Sequence, residues 1–204
     1  MRARRAGDGD DGLDGSKLND LARTISKPIR TDPIDEPPPA GTRNRTFDQV
    51  ARYIQGFVML PGFRASSKEE AIKRIVAEIA RECPNHVPDA EAAAKAVIAR
   101  EASMPTGLDR GIAVPHGRDA SIKGIAGAIA VLDNSGTVGG CLADYETIDA
   151  RPVQVVVLTL ANDQANTPYL KLMAAISKKL RADNGVARLL ACKTADEMRK
   201  VFRK

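Results

Sequence analysis

Tryptophan is absent from this chain of 204 residues, which holds only three tyrosines and four phenylalanines. Its core must therefore be aliphatic, filled by Ala, Val, Ile and Leu. The same scarcity argues against a nucleic-acid platform, because no run of bases is interleaved with aromatic side chains. Charge is not concentrated either. The net charge is +5, with nine Lys/Arg against eight Asp/Glu in residues 1–45 and 22 against 18 beyond. Such a balance describes a solvated, mildly basic surface. Cysteine is sparse: Cys83, Cys141 and Cys192 are odd in number and widely spaced, as in a reducing compartment rather than a disulfide scaffold. Cys83-Pro-Asn-His86 has no second pair at metal-ligand spacing, so a polar helix end is expected there and no metal site. No apolar run approaches the roughly 18–20 residues of a membrane span. The basic start MRARRAGDGDDG lacks the apolar segment of a secretory signal. These absences predict a cytoplasmic protein that binds no nucleic acid and does not insert into a membrane.

The length allows one domain of about 100–200 residues with an appendage. Residues 1–45 carry GDGDDGLDGS and DPIDEPPPAG, too poor in apolar side chains to offset the entropy of ordering them. They are expected to be a disordered tail or linker, with at most a brief helix over 17–29. The domain is expected over 46–204. Phe47, Val50 and Ile54 suggest a short helix, and FVML at 57–60 a strand. Ser67 and Glu70 form a capping box before a helix to about Arg81, striped by Ile72, Ile75, Val76 and Ile79. After Pro84 and Pro88, Asp89 caps an alanine-rich helix ending near Arg100-Glu101. The period then changes. GIAVPH, GIAGAIAVL (124–132) and PVQVVVLTLA (152–161) are short β-branched runs between glycine-rich turns, the last continuous enough for a strand covered on both faces. Thr167-Pro168 starts a helix with Leu170, Met173, Ala174 and Ile176 on its buried face. Asp183-Asn-Gly185 breaks it, and Thr194 with Glu197 makes a second capping box. The order predicts an α/β sandwich with the strands in the middle layer.

Only two histidines are present, and one ends an apolar run in Gly-Ile-Ala-Val-Pro-His-Gly-Arg, residues 111–118. His116 is expected where a strand exits into a loop, fixed by the scaffold yet reached by solvent. Pro115 locks its own φ and removes a donor, and Gly117 lets a bulky group approach the backbone. Thr106-Gly107 and Gly111 mark tight turns whose N–H groups suit an anion, and Arg100, Arg110 and Arg118 offer guanidinium forks to a phosphate. A neutral imidazole with one nitrogen hydrogen-bonded and the other free is a competent phosphoryl acceptor. The plainer reading is a histidine capping a turn.

Ala99-Arg-Glu, Pro105-Thr-Gly107 and Gly111 to Arg118 together resemble the active-site segment of enzyme IIA domains of the bacterial phosphoenolpyruvate-dependent sugar phosphotransferase system, in the fructose/mannitol and nitrogen-regulatory branch. The resemblance extends from about residue 47 to the C-terminus. SSKEEAIKRIVAEIA is similar to the family's first long helix, IDARPVQVVVLTLA to its Asp-x-x-Pro-Val strand, and YLKLMAAISKKL to the helix after it. The resemblance implies a three-layer sandwich with a central mixed sheet flanked by helices. It implies that His116 accepts a phosphoryl group from a histidine phosphocarrier protein and passes it to a sugar-specific enzyme IIB or a regulated target. Arg100 then stabilises the phosphoryl charge, Thr106 hydrogen-bonds at the site, and no cofactor is needed beyond the covalent phosphoryl group. Gly107, Gly111, Pro115, Gly117 and Arg118 would shape the approach of phosphate or partner. Arg110 and Arg118 read equally well as solvated side chains.

The chain departs from the family in one place. The family's second histidine, at the start of the helix after the apolar strand, is here Tyr169, which keeps a hydrogen-bond donor but cannot become a cation near neutral pH. Residues 133–148 are also longer and richer in glycine than is usual, with Cys141 among them expected as a buried or half-buried thiol. Transport phosphocarrier and regulatory module therefore both stay open, as does a degenerate ligand-binding domain that passes no phosphate on.

Overall fold

A computed structural model describes residues 53–133, 140–162, 166–181 and 184–202. The tail expected over 1–45, the helix at 17–29 and the start of the helix through Phe47 and Val50 lie outside the described residues. Residues 53–55 are helical, and Ile54 is buried.

Strand β1 (Val58–Phe63) is followed by α1 (Lys68–Glu82) and α2 (Ala90–Ser103), then β2 (Ile112–Ala113), β3 (His116–Arg118), β4 (Ile125–Leu132) and β5 (Val155–Ala161). Helices α3 (Asn166–Arg181), α4 (Gly185–Leu190) and α5 (Ala195–Phe202) close the order. The sheet runs β1-β4-β5-β2, with β3 continuing along β5 beyond β2. β1 pairs parallel with β4, β4 antiparallel with β5, and β5 parallel with both short strands, so the sheet is mixed. β5 is buried throughout, which explains its nearly unbroken apolar run. Val156, Leu158 and Leu160 face one core with Ile72, Ile75, Ile79 and Val97, while Val155 and Val157 face the other with Leu172, Ile176, Leu189 and Met198. Strand alternation thus sends successive residues into two cores, and helices cover each. This is the expected three-layer sandwich.

The helix ends follow from their caps. The Ser67 hydroxyl accepts from the Glu70 N–H at 3.2 Å, but the reciprocal bond differs from expectation. The Glu70 carboxylate takes the N–H of Ser66 at 2.8 Å, one residue earlier, and the Lys68 N–H turns to Asp144 Oδ2 at 2.7 Å. Asp89 caps α2 by accepting from the Ala92 N–H at 2.9 Å. The Thr194 and Glu197 box is reciprocal, at 3.3 and 3.2 Å. Helix α3 begins at Asn166, which places Thr167 and Pro168 within its first turn. Its buried face meets the expectation in part: Ile176 is buried and Met173 packs half-buried against the same core, whereas Leu170 and Ala174 do not. Tyr169, Leu172, Ile176 and Leu180 point inward, while Leu170 is 64% exposed and Ala174 is exposed.

Candidate functional site

His116 does not lie in a loop. It opens β3, paired with Thr159 of β5, and only Val114 and Pro115 separate it from β2. Pro115 has no N–H to give a ladder, which breaks the strand. Its carbonyl still accepts from the Thr159 N–H at 3.1 Å, so the chain resumes along the same neighbour. The break fixes the imidazole: His116 Nδ1 lies 3.2 Å from the Val114 carbonyl oxygen. A carbonyl can only accept, so Nδ1 carries the proton and Nε2 keeps its lone pair. The ring is half-buried. Burial is the largest cause holding its pKa below 6.5; the Val114 bond pulls upward, Arg100 downward, Glu101 upward and Arg118 downward. At neutral pH the imidazole is therefore uncharged, with a nucleophilic nitrogen.

Period two sends His116 and Arg118 to one face of the sheet and Gly117 to the other. Against that other face a Cβ on Gly117 would meet Val97 Cγ2 at 2.6 Å. The bulky group that Gly117 admits is helix α2 itself, not a ligand. Arg100, in the last turn of α2, donates to the Met104 carbonyl at 3.1 Å. Its charge is close enough to depress the His116 pKa. Tyr169, only 6% exposed, places its ring 5.8 Å from the imidazole at 46°, and the Arg118 guanidinium stands 5.3 Å from the same ring. Burial raises the Tyr169 phenol above its ordinary pKa, while the neighbouring Thr159 hydroxyl acts the other way. The phenol is thus neutral over the physiological range.

In the upstream turns, Thr106 is used differently from expectation. Thr106 gives its N–H to Glu101 Oε1 at 2.8 Å and its hydroxyl to Oε2 at 2.6 Å, so both donors are taken by that carboxylate rather than turned to an incoming phosphate. Gly107 is required by the loop opposite, since a Cβ there would stand 2.0 Å from the Glu146 carbonyl oxygen. Gly111, at φ +70°, lies against Pro152 and accepts from the Gln154 and Val155 N–H groups at 2.8 and 3.1 Å. Arg110 is not brought to His116. Its guanidinium donates to the Arg181 carbonyl at 3.0 Å, where it closes the end of α3. Cys141 is exposed, contrary to expectation; among the described residues of that loop, Leu142 and Tyr145 turn their side chains inward.

Sequence reasoning missed Glu101 and Thr159. Glu101 is 2% exposed and Thr159 fully buried. Each carried a signal: a carboxylate just before a Pro-Thr-Gly turn, and one hydroxyl in an otherwise apolar strand. Among the described residues, no group of three or more His, Cys, Asp or Glu could hold a metal ion, and no helix is long and apolar enough to cross a membrane.

Comparison with known proteins gives one family profile, described as phosphoenolpyruvate-dependent sugar phosphotransferase system, EIIA 2, which matches residues 57–204. A nitrogen regulatory protein of Bradyrhizobium diazoefficiens is 29% identical over 144 residues, 71% of this chain and 88% of that protein. The 2-O-alpha-mannosyl-D-glycerate-specific EIIABC component of Escherichia coli is 32% identical over 137 residues; the match covers 66% of this chain but 20% of the larger protein. In fold, the nitrogen regulatory protein IIA-Ntr from Neisseria meningitidis aligns with a TM-score of 0.63 at 21% identity, over 75% of this chain and 98% of that one. Enzyme IIAMTL of Escherichia coli, solved in complex with phosphorylated enzyme IIBMTL, aligns with a TM-score of 0.57 at 20% identity, over 71% and 92%.

Proposed function

The chain belongs to the phosphoenolpyruvate-dependent sugar phosphotransferase system EIIA 2 family, a family of phosphotransferase components, and on that premise we propose that His116 is a phosphoryl acceptor served by a histidine phosphocarrier protein. The observation that carries this reading is the Val114 carbonyl 3.2 Å from Nδ1, which leaves Nε2 unprotonated on a half-exposed ring. In the transfer, the Nε2 lone pair attacks the phosphorus of the donor's phosphohistidine. The donor's P–N bond breaks, its nitrogen keeps the electron pair, and the proton on His116 Nδ1 stays where it is. Such a transfer needs positioning and charge neutralisation more than acid–base work. Arg100 supplies a cation from the end of α2, and Arg118 a second from the strand itself. Glu101 and Thr106 hold the turn after α2, and Gly117 lets that helix lie close. No cofactor beyond the covalent phosphoryl group enters the step.

For onward use, control of a target protein is the first reading. It is favoured by the match spanning 88% of a protein named for nitrogen regulation. Transfer to a sugar-specific enzyme IIB is the second, suggested by the complex in which enzyme IIAMTL was solved. The site is tested by incubating the chain with phosphoenolpyruvate, the first enzyme of the chain and the carrier protein. An acid-labile, base-stable adduct of one phosphoryl group is expected, and His116→Ala abolishes it. Wild-type protein that stays unlabelled where a known homologue labels would overturn the reading. An adduct chased onto an enzyme IIB separates transport from regulation.

A further inference from the structure

His116, Gly117 and Arg118 form β3, so the imidazole and the guanidinium emerge on one side of the strand, two residues apart. The ring of Tyr169 stands between the sheet and α3 on that side. Its centroid is 5.8 Å from the imidazole centroid and 5.3 Å from the Arg118 guanidinium carbon. Tyr169 is 6% exposed and cannot swing away, whereas Arg118 is exposed at the strand end. A long flexible cation beside a fixed ring is held by the ring's negative face. We propose that Tyr169 is a positioning residue whose ring face, and not its hydroxyl, holds the Arg118 guanidinium beside His116, ready to meet the charge of a phosphoryl group there.

The phosphoryl group brings oxygens that an Arg fork matches in geometry as well as charge. Arg100 and Glu101 of α2 also act on the imidazole, one of each sign, and Arg118 is the cation that lies over the Tyr169 ring. The inference rests on the acceptor reading of His116, but the stack itself can be observed without phosphorylation.

The test uses the full chain and the equilibrium of phosphoryl transfer from the carrier protein. Arg118→Gln is expected to lower the equilibrium constant for phosphorylation about two- to fivefold, the range of a solvent-exposed cation held at an aromatic ring. Tyr169→Leu should lower it similarly, Tyr169→Phe should restore it, and Tyr169→Leu should add no further loss on an Arg118→Gln background. A loss in Tyr169→Phe would mean the hydroxyl acts; a second, additive loss in the double variant would mean the ring acts without Arg118. Either overturns the proposal, as does an unchanged Arg118→Gln. Should Tyr169→Leu fail to fold, Tyr169→Phe and Arg118→Gln still decide. If wild type accepts no phosphoryl group, the acceptor reading falls alone. The stack is then read from the His116 titration, where Arg118→Gln should raise the midpoint and Tyr169→Phe should leave it. No rise in the first, or a shift in the second, overturns it.

Discussion

The Glu101 carboxylate accepts twice from Thr106, from its N–H at 2.8 Å and its hydroxyl at 2.6 Å, in a place where Glu101 is 2% exposed. The pair ties the turn after α2 back onto the helix that carries Arg100. Glu101→Ala strands two buried donors and is expected to cost about 3 kcal/mol, while Glu101→Gln keeps an acceptor for the N–H and should cost about 1 kcal/mol. Denaturant unfolding measures both. Equal losses would mean that the hydrogen-bond acceptor is not what the turn needs.

Gly117 sets a second constraint. A Cβ there would stand 2.6 Å from Val97 Cγ2 and 3.0 Å from the Val97 backbone nitrogen, so Gly117→Ala must push α2 off the sheet. The expected cost is about 2 kcal/mol, with slower labelling of His116 because Arg100 moves with the helix. Val97→Ala removes the nearer of the two clashes. The double variant should therefore lose less than the two single variants added together, and strict additivity would remove the close-packing explanation.

Much of this was legible in the sequence because the cues were local. Ser67, Asp89 and Thr194 announced their helices, and the run over 152–161 announced a strand covered on both faces. The strand position of His116 was not legible. Pro115 reads as a terminator, and only the pairing of its carbonyl with Thr159, over forty residues away in the chain, shows that the ladder resumes. Thr106 and Gly107 looked like anion donors because a turn offers N–H groups; the use of Thr106 by Glu101 and the closeness of Gly107 to Glu146 are tertiary facts. The inward face of α3 was legible at Met173 and Ile176 but misplaced at Leu170, because Leu170 and Leu172 are equally apolar and fit neighbouring stripes. Helix rotation is chosen by the sheet it meets.

That choice has a measurable consequence. Leu172 is fully buried and Leu170 is 64% exposed. Leu172→Ala should cost about 3 kcal/mol by leaving a cavity under the sheet. Leu170→Ala should stay within about 0.5 kcal/mol of wild type. A large loss at Leu170 would put α3 in the rotation that the sequence pattern alone suggested.

The imidazole offers the most direct check on the chemistry. Burial, aided by Arg100 and Arg118, holds the folded pKa of His116 below 6.5, so the folded state disfavours the protonated ring. Its contribution to stability is therefore complete above 6.5 and is lost as pH falls through the lower, folded value. The same protonation removes the Nε2 lone pair, so the initial rate of labelling should rise with pH through a midpoint below 6.5 and be level at neutrality. Arg100→Gln removes one depressing charge and should move that midpoint upward. The chain has two histidines, so His86→Gln assigns the proton resonances and a titration reads His116 alone. A midpoint at or above 6.5 would mean that burial and the cations do not outweigh the Val114 bond and Glu101, and the account of a ring held neutral by burial would fall.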